Sequence, residues 1–397
     1  MPEVYKLHNQ IKHYEWGSIN TIPEFLGMEN IREKPHAELW MGTHIFASSK
    51  IEFDGKLVGL GEISGELPFL FKLIAVGKPL SIQAHPNKKQ AEEGYEREEK
   101  AGLTIKAPTR NYKDSNHKPE ILCAISPITL MAGFREPEKI YKSLEALLSI
   151  APPLKEIFVP SLNALESGSL LDFFRSLFNL SGIEQEYLCT FINNKDSGKT
   201  NGIITAEQWK LIKEFTALYP RDPAILSPLF LNIMTIQPGQ AIYIPAGVLH
   251  AYLSGFGLEL MSSSDNVLRG GLTPKHVDID ELIKVLHFVP FIPQTITPSP
   301  SSLWFSYHTT CREFLLSHMQ SKNGNVFPGN GPAICIITGG ELKTCGKVFK
   351  KGESFFIPEG EPPFFEGDYS LYAGWRGGNH NLPVRKTSVS VSAAIRK

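Results

Sequence analysis

The chain of 397 residues contains no apolar run approaching the roughly 18 residues a membrane-spanning helix needs, so no membrane partner is expected. Its start, MPEVYKLHNQIKHYEWG, lacks the apolar h-region of a secretory signal, and the expected compartment is the cytoplasm. Neither sign of charge prevails: 40 Lys+Arg stand against 41 Asp+Glu, without long blocks, for a net charge of −1. That balance offers no basic footprint for nucleic acid. Cysteine is scarce, and Cys123, Cys189, Cys311, Cys335 and Cys345 form an odd set without a CxxC pair, as expected of reduced, structural thiols. Nucleotide-binding glycine loops are missing too. DSGKT at 196–200 ends like a P-loop but has Asn193 where the first glycine belongs, and Gly255-Phe256-Gly257 reads as a hairpin turn.

What is present divides into three textures, in keeping with a length too great for one ordinary core. Up to about Phe134, short β-rich runs such as LPFLFKLIAVGKPLSIQAHP and KPEILCAISPITLMAGF alternate with Gly and Pro, as in all-β text. From Glu136 to Pro228 the apolar residues fall three and four apart, as in IYKSLEALLSI and LLDFFRSLFNL, which predicts helices. Thr205 with Gln208 three residues on is a capping-box start. The β texture returns after Leu229, and the Pro/Ser-rich FVPFIPQTITPSPSS marks the crossing into a C-terminal unit.

A short internal repeat links the two β regions. IQPGQAIYIPAGVLHAYLSG from Ile236 and FKKGESFFIPEGEPPFFEG from Phe349 share a Gly, a β run, Ile-Pro-x-Gly and a return strand, text that fits a jelly-roll or cupin barrel. Aligned so, His250 of the first copy stands opposite Pro363 of the second. The inference is two barrels, of which the first alone kept a polar group there. The same grammar also occurs by accident in short turns.

Gln83 and His85, two apart in LSIQAHP, point to one face of an extended strand. Glu120 opens the apolar run EILCAI, and His250 opens HAYL after a turn. A strand histidine alone is more often hydrogen-bonded in a core than metal-bound. Together, two imidazoles, a carboxylate and an amide make a mixed N/O donor set suited to a divalent transition ion, and zinc holds four such ligands. Glu259, in an otherwise apolar run, would be a desolvated carboxylate with a raised pKa if it faces inward, the condition for a general base near neutral pH. Asp265, Arg269 and Lys275 lie in the Gly-, Ser- and Asn-rich loop beyond; Arg269 and Lys275 there suit an anionic substrate or an oxyanion, and equally a solvated loop.

These residues resemble type I mannose-6-phosphate isomerases. YKDSNHKPE, Tyr112 to Glu120, agrees at every fixed position with that family's signature Tyr-x-Asp-x-Asn-His-Lys-Pro-Glu. HAYLSGFGLELMSSSDNVLRGGLTPK, His250 to Lys275, follows the second signature, departing at Ser262 and Gly270, where the family usually has alanine. HYEWGS, ELWMGTH and SIQAHPNK are similar as well. The resemblance implies one Zn2+ per chain on Gln83, His85, Glu120 and His250, and an active-site arginine at Arg269. It implies a mainly β fold with an α insertion: a catalytic cupin domain over 1–135 and 229–292, a helical insertion over 136–228 and a degenerate jelly roll over 293–397.

The implied reaction interconverts mannose 6-phosphate and fructose 6-phosphate by moving a proton between C2 and C1 through an enediol. The substrate is then a small hexose 6-phosphate. Such chemistry needs a base, a cation beside the enediolate and a phosphate anchor. Glu259, Lys118 and His117 are the candidate bases, with Glu259 preferred; Asp265 or His117 could open the sugar ring; Ser81, Lys118 and Lys275 are candidate substrate contacts. Two rivals remain, a cupin oxygenase, against which Gln83 argues, and a non-catalytic sugar-binding barrel.

Overall fold

The structure, a computed structural model, describes residues 2–30, 32–195, 202–298, 304–329 and 331–376. DSGKT at 196–200 and the end of the Pro/Ser-rich passage lie outside the described residues. The molecule is mostly β-sheet with several helices. Two large antiparallel sheets carry it, one of 11 strands and one of 7. The larger runs in the order Thr295–Ile296, Ala241–Ile244, Glu120–Ala124, His250–Ser262, Phe69–Val76, Glu38–Met41, Gln10–Lys12, with shorter strands branching from it.

The strand His250–Ser262 is the pivot. Its second half pairs with Phe69–Val76 on one side and Glu120–Ala124 on the other, whereas its first half pairs with Ile128–Phe134 and, at His250, with Gln83. The register shifts between Tyr252 and Ser254, and Gly255 follows at φ 117°. A Cβ at Gly255 would lie 2.3 Å from the Pro127 carbonyl oxygen, so only glycine lets the strand bend from one layer into the other. This corrects the hairpin expected at Gly255–Gly257: the two glycines mark a corner inside one continuous strand.

Alternation decides what each face meets. Phe71 and Leu73, with Leu258, Leu260, Ile121 and Cys123, pack against Leu316, Ile334, Ile336, Phe356 and Tyr372 of the seven-stranded sheet. The residues between them, Ile74, Val76, Leu122 and Ala124, turn the other way onto Ile128, Leu130, Ala132, Ile236 and Tyr252. Glu259 pairs in register with Lys72 and Leu122, and shares this inner face.

The middle of the chain is helical, with Pro137–Ile150, Val159–Glu166, Leu170–Phe178, Gly182–Asn193 and Ala206–Leu218. The Thr205 hydroxyl accepts from the Gln208 N–H and the Gln208 side chain accepts from the Thr205 N–H, the expected capping box. Helical residues Leu147, Phe174 and Phe215 share a core with Ile82, Ala84, Leu249 and Leu268, so the helical stretch packs beneath these strand segments.

Two further expectations change. The first 134 residues are not all β: Lys88–Lys100 is a 13-residue helix. Its capping box, Asn87 with Gln90, is legible, but its buried residues are Ala91, Gly94 and Glu98, leaving no apolar stripe to read. The strand Tyr5–Lys6, at the start of the segment assigned to the catalytic unit, pairs with Phe356 and Phe355 of the seven-stranded sheet. A two-residue strand held by backbone bonds leaves no side-chain pattern to announce its partner.

Candidate metal and active site

The short strand Gln83–Ala84 lies between two partners. Gln83 pairs with His250 on one side and with Arg269 on the other, and Leu268 pairs with Ala84. Residues directly opposed across an antiparallel pair share a face, so His250, Gln83 and Arg269 form a row. His85 follows Gln83 by two residues, Pro86 stops the strand, and Asn87 caps the next helix. Glu120 arrives from the neighbouring strand, in register with Met261 and Ile244.

The side chains converge. His85 Nε2 lies 3.3 Å from Glu120 Oε1, and His250 Nε2 lies 3.3 Å from Glu120 Oε2. Gln83 Nε2 is 3.3 Å from His250 Nε2. His85, Glu120 and His250 are at most 1% exposed, and one donor atom from each lies within 4.8 Å of the others. Each imidazole is held at Nδ1, His85 by the Asn266 carbonyl at 2.8 Å and His250 by the Val248 carbonyl at 3.0 Å. A carbonyl only accepts, so Nδ1 carries the proton and the Nε2 lone pair of each ring is aimed inward.

That arrangement suits a cation. His85 Nε2 is buried without a hydrogen-bond donor, and it faces Glu120 Oε1 at 3.3 Å, a second acceptor whose one cationic neighbour among the described residues is the Lys118 ammonium at 3.0 Å. Left so, the His85 nitrogen carries a desolvation cost of about 1–3 kcal/mol. A divalent ion between the two acceptors would turn that cost into coordination. The amide of Gln83 can join by turning its oxygen inward, a rotation that leaves its shape unchanged.

Burial, with the Lys118 ammonium behind it, pushes His85 down to about 4, which keeps it neutral with its Nε2 lone pair available. Burial opposes ionisation of Glu120, but Lys118 and the histidines outweigh it and hold the carboxyl well below the usual range. Lys118 Nζ reaches Glu120 Oε1 at 3.0 Å, and Tyr252 donates to Oε2 at 3.4 Å.

The remaining candidates separate into groups. Glu259 faces inward and burial raises its pKa, but Lys72 lies 2.9 Å away and Glu38 adds a second contact to that ammonium at 3.7 Å. Burial would lower Lys72, yet Glu259 and Glu38 prevail and raise it. Glu38 is held in turn by the Trp40 indole N–H at 2.6 Å. Asp265 pairs with His44 at 3.3 Å, and His117 pairs with Glu313 at 2.8 Å. Asp265, His44, His117 and Glu313, with Lys113 and Asn116, line a cavity of about 540 Å³. Glu259 and Lys118 do not line it, nor do Ser81, Arg269 and Lys275.

Arg269 is half-buried beside Gln83, and its guanidinium makes no hydrogen bond or ion pair among the described residues. Burial lowers its pKa; Lys275 is lowered by partial burial, then by Arg269 and Lys113, so the three cations stand within electrostatic reach of one another. Ser81 is half-buried in the irregular segment before Gln83.

Sequence reading missed Lys72, Glu38, His44 and Glu313. Lys72 had a signal, a charge inside FLFKLIAV. Glu313 had none, because it comes from beyond the Pro/Ser-rich passage, where no motif ties it to His117.

The comparisons with known proteins follow the same residues. Residues 4–137 match the family described as phosphomannose isomerase type I, catalytic domain. The mannose-6-phosphate isomerase of Escherichia coli is 34% identical over 382 residues, spanning 90% of this chain and 95% of that protein. The Homo sapiens mannose-6-phosphate isomerase is 32% identical, spanning 73% and 74%. A crystal structure of a mutant phosphomannose isomerase from Salmonella typhimurium superposes with a TM-score of 0.84 at 33% identity, spanning 94% of this chain and all of that one. A zinc-bound mannose 6-phosphate isomerase gives 0.82 at 33% identity over the same 94%. With both halves of the molecule and the buried His-Glu-His cluster inside that likeness, the chain belongs to the type I phosphomannose isomerases, enzymes of the mannose-6-phosphate isomerase class.

Proposed function

We propose that this enzyme interconverts mannose 6-phosphate and fructose 6-phosphate through an enediol, with one zinc ion per chain held by Gln83, His85, Glu120 and His250. The observation that carries the reading is the convergence of buried acceptors: His85 Nε2, which has no donor, and His250 Nε2 each face a Glu120 carboxylate oxygen at 3.3 Å. When bound, the ion supplies a Lewis acid beside the sugar oxygens.

The chain's own groups then divide the work. In the forward direction a base removes the C2 proton of the open-chain aldose while the C1 carbonyl oxygen gains one, giving the enediol. Loss of the O2 proton and return of a proton to C1 complete the ketose, with no oxidant consumed. Of Glu259, Lys118 and His117, we assign the proton to His117, which lines the cavity and is oriented by Glu313. Glu259 is matched to Lys72 inside the core and neutralises it there. This replaces the preference for Glu259 as base. Lys118, 3.0 Å from Glu120 Oε1, bridges from the carboxylate to the substrate oxygens. Asp265, beside His44 in the cavity wall, assists ring opening. Arg269 steadies the enediolate, while Lys275 and Ser81 serve the phosphate end.

We also propose the two-barrel reading: a cupin domain over 1–135 and 229–292, a helical insertion over 136–228 and a degenerate jelly roll over 293–397. Supporting it, the repeat copies begin as equivalent strands, Ala241–Ile244 and Ser354–Ile357, each ending in Ile-Pro. No described helix is long and apolar enough to cross a membrane, and the cytoplasm is the proposed location.

A coupled assay of mannose 6-phosphate conversion, run beside elemental analysis before and after chelation, tests the reading. Turnover that disappears with zinc and returns with zinc is expected. Full turnover in metal-free protein, or iron with oxygen consumption, would overturn it.

A further inference from the structure

The two-residue strand pair Gln83–Ala84 with Leu268–Arg269 is too short to hold its own register, yet it aligns Arg269 with Gln83. What fixes the loop beyond it comes from the helical insertion. Asp222 Oδ1 accepts the Ala224 N–H at 2.9 Å, and Asp222 Oδ2 accepts the Leu272 N–H at 2.6 Å. The Thr273 N–H also bonds this carboxylate. Between these contacts and Arg269, the backbone is tied to the same short strand: the Gly270 N–H donates to the Ile82 carbonyl at 2.8 Å, and the Ile82 N–H to the Gly271 carbonyl at 3.0 Å.

The loop takes this path against its own preferences. Leu272 lies at φ 53° and Arg221, beside Asp222, at φ 75°, both left-handed positions that a side chain disfavours. Gly271 lies at φ 114°, and a Cβ there would stand 2.3 Å from Ala224 Cβ and 3.0 Å from Asp222 Oδ1. Close approach and strained backbone persist only where the surroundings over-determine them. The carboxylate that does so forms no salt bridge among the described residues; its partners there are backbone N–H groups.

We infer that Asp222, which grips the chain at Leu272 three residues beyond Arg269, is the positioning residue that clamps the 270–273 loop and so holds the Arg269 guanidinium in place for the reaction. The inference rests on the role assigned to Arg269 above. It gives the helical insertion a part in the reaction, since Asp222 lies at the end of that block. As a positioning residue, Asp222 acts through Leu272 and the Ile82 pairing.

The test is a double-mutant cycle with Asp222→Ala and Arg269→Ala in the full-length zinc enzyme, reading kcat, KM, zinc content and melting temperature. Asp222→Ala is expected to lower kcat by about ten- to a hundredfold, the scale of a misplaced catalytic group, with zinc retained. In the Arg269→Ala background the same substitution should change kcat less than about twofold, because a residue acting through Arg269 has nothing left to position. Asp222→Asn, which keeps the size but has one acceptor oxygen for two sets of N–H donors, should fall between, and replaces Asp222→Ala in the cycle if the alanine variant does not fold. An undiminished loss in the Arg269→Ala background, or a wild-type kcat in both Asp222 variants, would overturn the inference. Wild-type turnover in Arg269→Ala alone would instead sink the role of Arg269 itself.

Discussion

The two sheets are built from the same kind of text and filled in opposite ways. The inner face of the eleven-stranded sheet holds Lys72, Glu120, His250 and Glu259, with Glu38, His85 and Lys118 buried around them. The core of the seven-stranded sheet is apolar, with Ile337, Leu342, Phe349, Phe355, Phe365 and Leu371 at its centre, and its fully buried polar side chains include the hydroxyls of Ser317, Ser321, Thr344 and Ser354, with His318 half-buried at its edge. A buried charge costs several kcal/mol even when paired, so a barrel that needed stability alone would resemble the second. The difference is what the proposed function would require, an ionic interior in the first sheet around the candidate metal site, and the seven-stranded sheet backs it: Leu316, Ile334 and Phe356 press on the outer face of the strands that carry Glu120 and Glu259.

The comparison breaks first at the metal. His250→Ala should lose most bound zinc and all turnover above background while remaining folded, since the apolar layer around it is separate from the ligand set. Stoichiometric zinc in that variant, measured by elemental analysis, would mean that His250 is not a ligand. A second zinc equivalent in the wild type, abolished by changes near Pro363, would erase the contrast between the two sheets.

Lys72→Met should cost about 3–5 kcal/mol in chemical denaturation, because Glu259 and Glu38 lose their cation in a dry core. Lys72→Met with Glu259→Leu makes the first interior resemble the second, and should recover most of that loss while remaining inactive. A double variant no more stable than the single one would show that the pair is held by something beyond mutual neutralisation.

Arg269→Ala should lower kcat and kcat/KM together by about 10², equal to about 2.7 kcal/mol, with zinc unchanged. If KM alone rises, the guanidinium binds the ground state. Lys at this position should restore little, because an ammonium lacks the planar fork.

The seven-stranded sheet has its own acid weakness. Burial holds His318 at about 4, against 6.5 when exposed. The unfolded chain therefore takes up this proton first, and stability from this residue is lost as pH falls from about 6.5 to about 4. His318→Gln should flatten that part of the stability profile while leaving zinc binding intact. An unchanged profile would place the acid sensitivity elsewhere. The smallest effect is expected at the long-range contact between His117 and Glu313: Glu313→Ala should lower kcat/KM about two- to fivefold, the range of a half-exposed ion pair. A loss beyond a hundredfold would make Glu313 a participant in proton transfer.

Much of this was legible in the chain. Gln83 and His85 announced a shared face by their spacing of two, the run EILCAI placed Glu120 at a strand start, and the helical block showed its period and its Thr205 cap. Less legible were features without a side-chain period. The helix Lys88–Lys100 buries too little apolar surface to show one, and the strand Tyr5–Lys6 is joined to its sheet by backbone bonds. The corner at Gly255 was misread because a glycine permits a turn and a bend alike, and only the residue it must avoid, Pro127, decides between them.

The sequence by itself determined the donor types, the order of β and α text, and the family, because these depend on residue identity and local period. Tertiary structure decided which charges meet. Glu259 has a desolvated carboxylate in any inward-facing strand, but whether it serves as a base or as a counter-ion depends on Lys72, brought across from 187 residues away by strand register. His117 meets Glu313 at a separation of 196 residues in the same way. Electrostatic roles follow distance and burial, and neither is a property of a residue until the chain has closed around it.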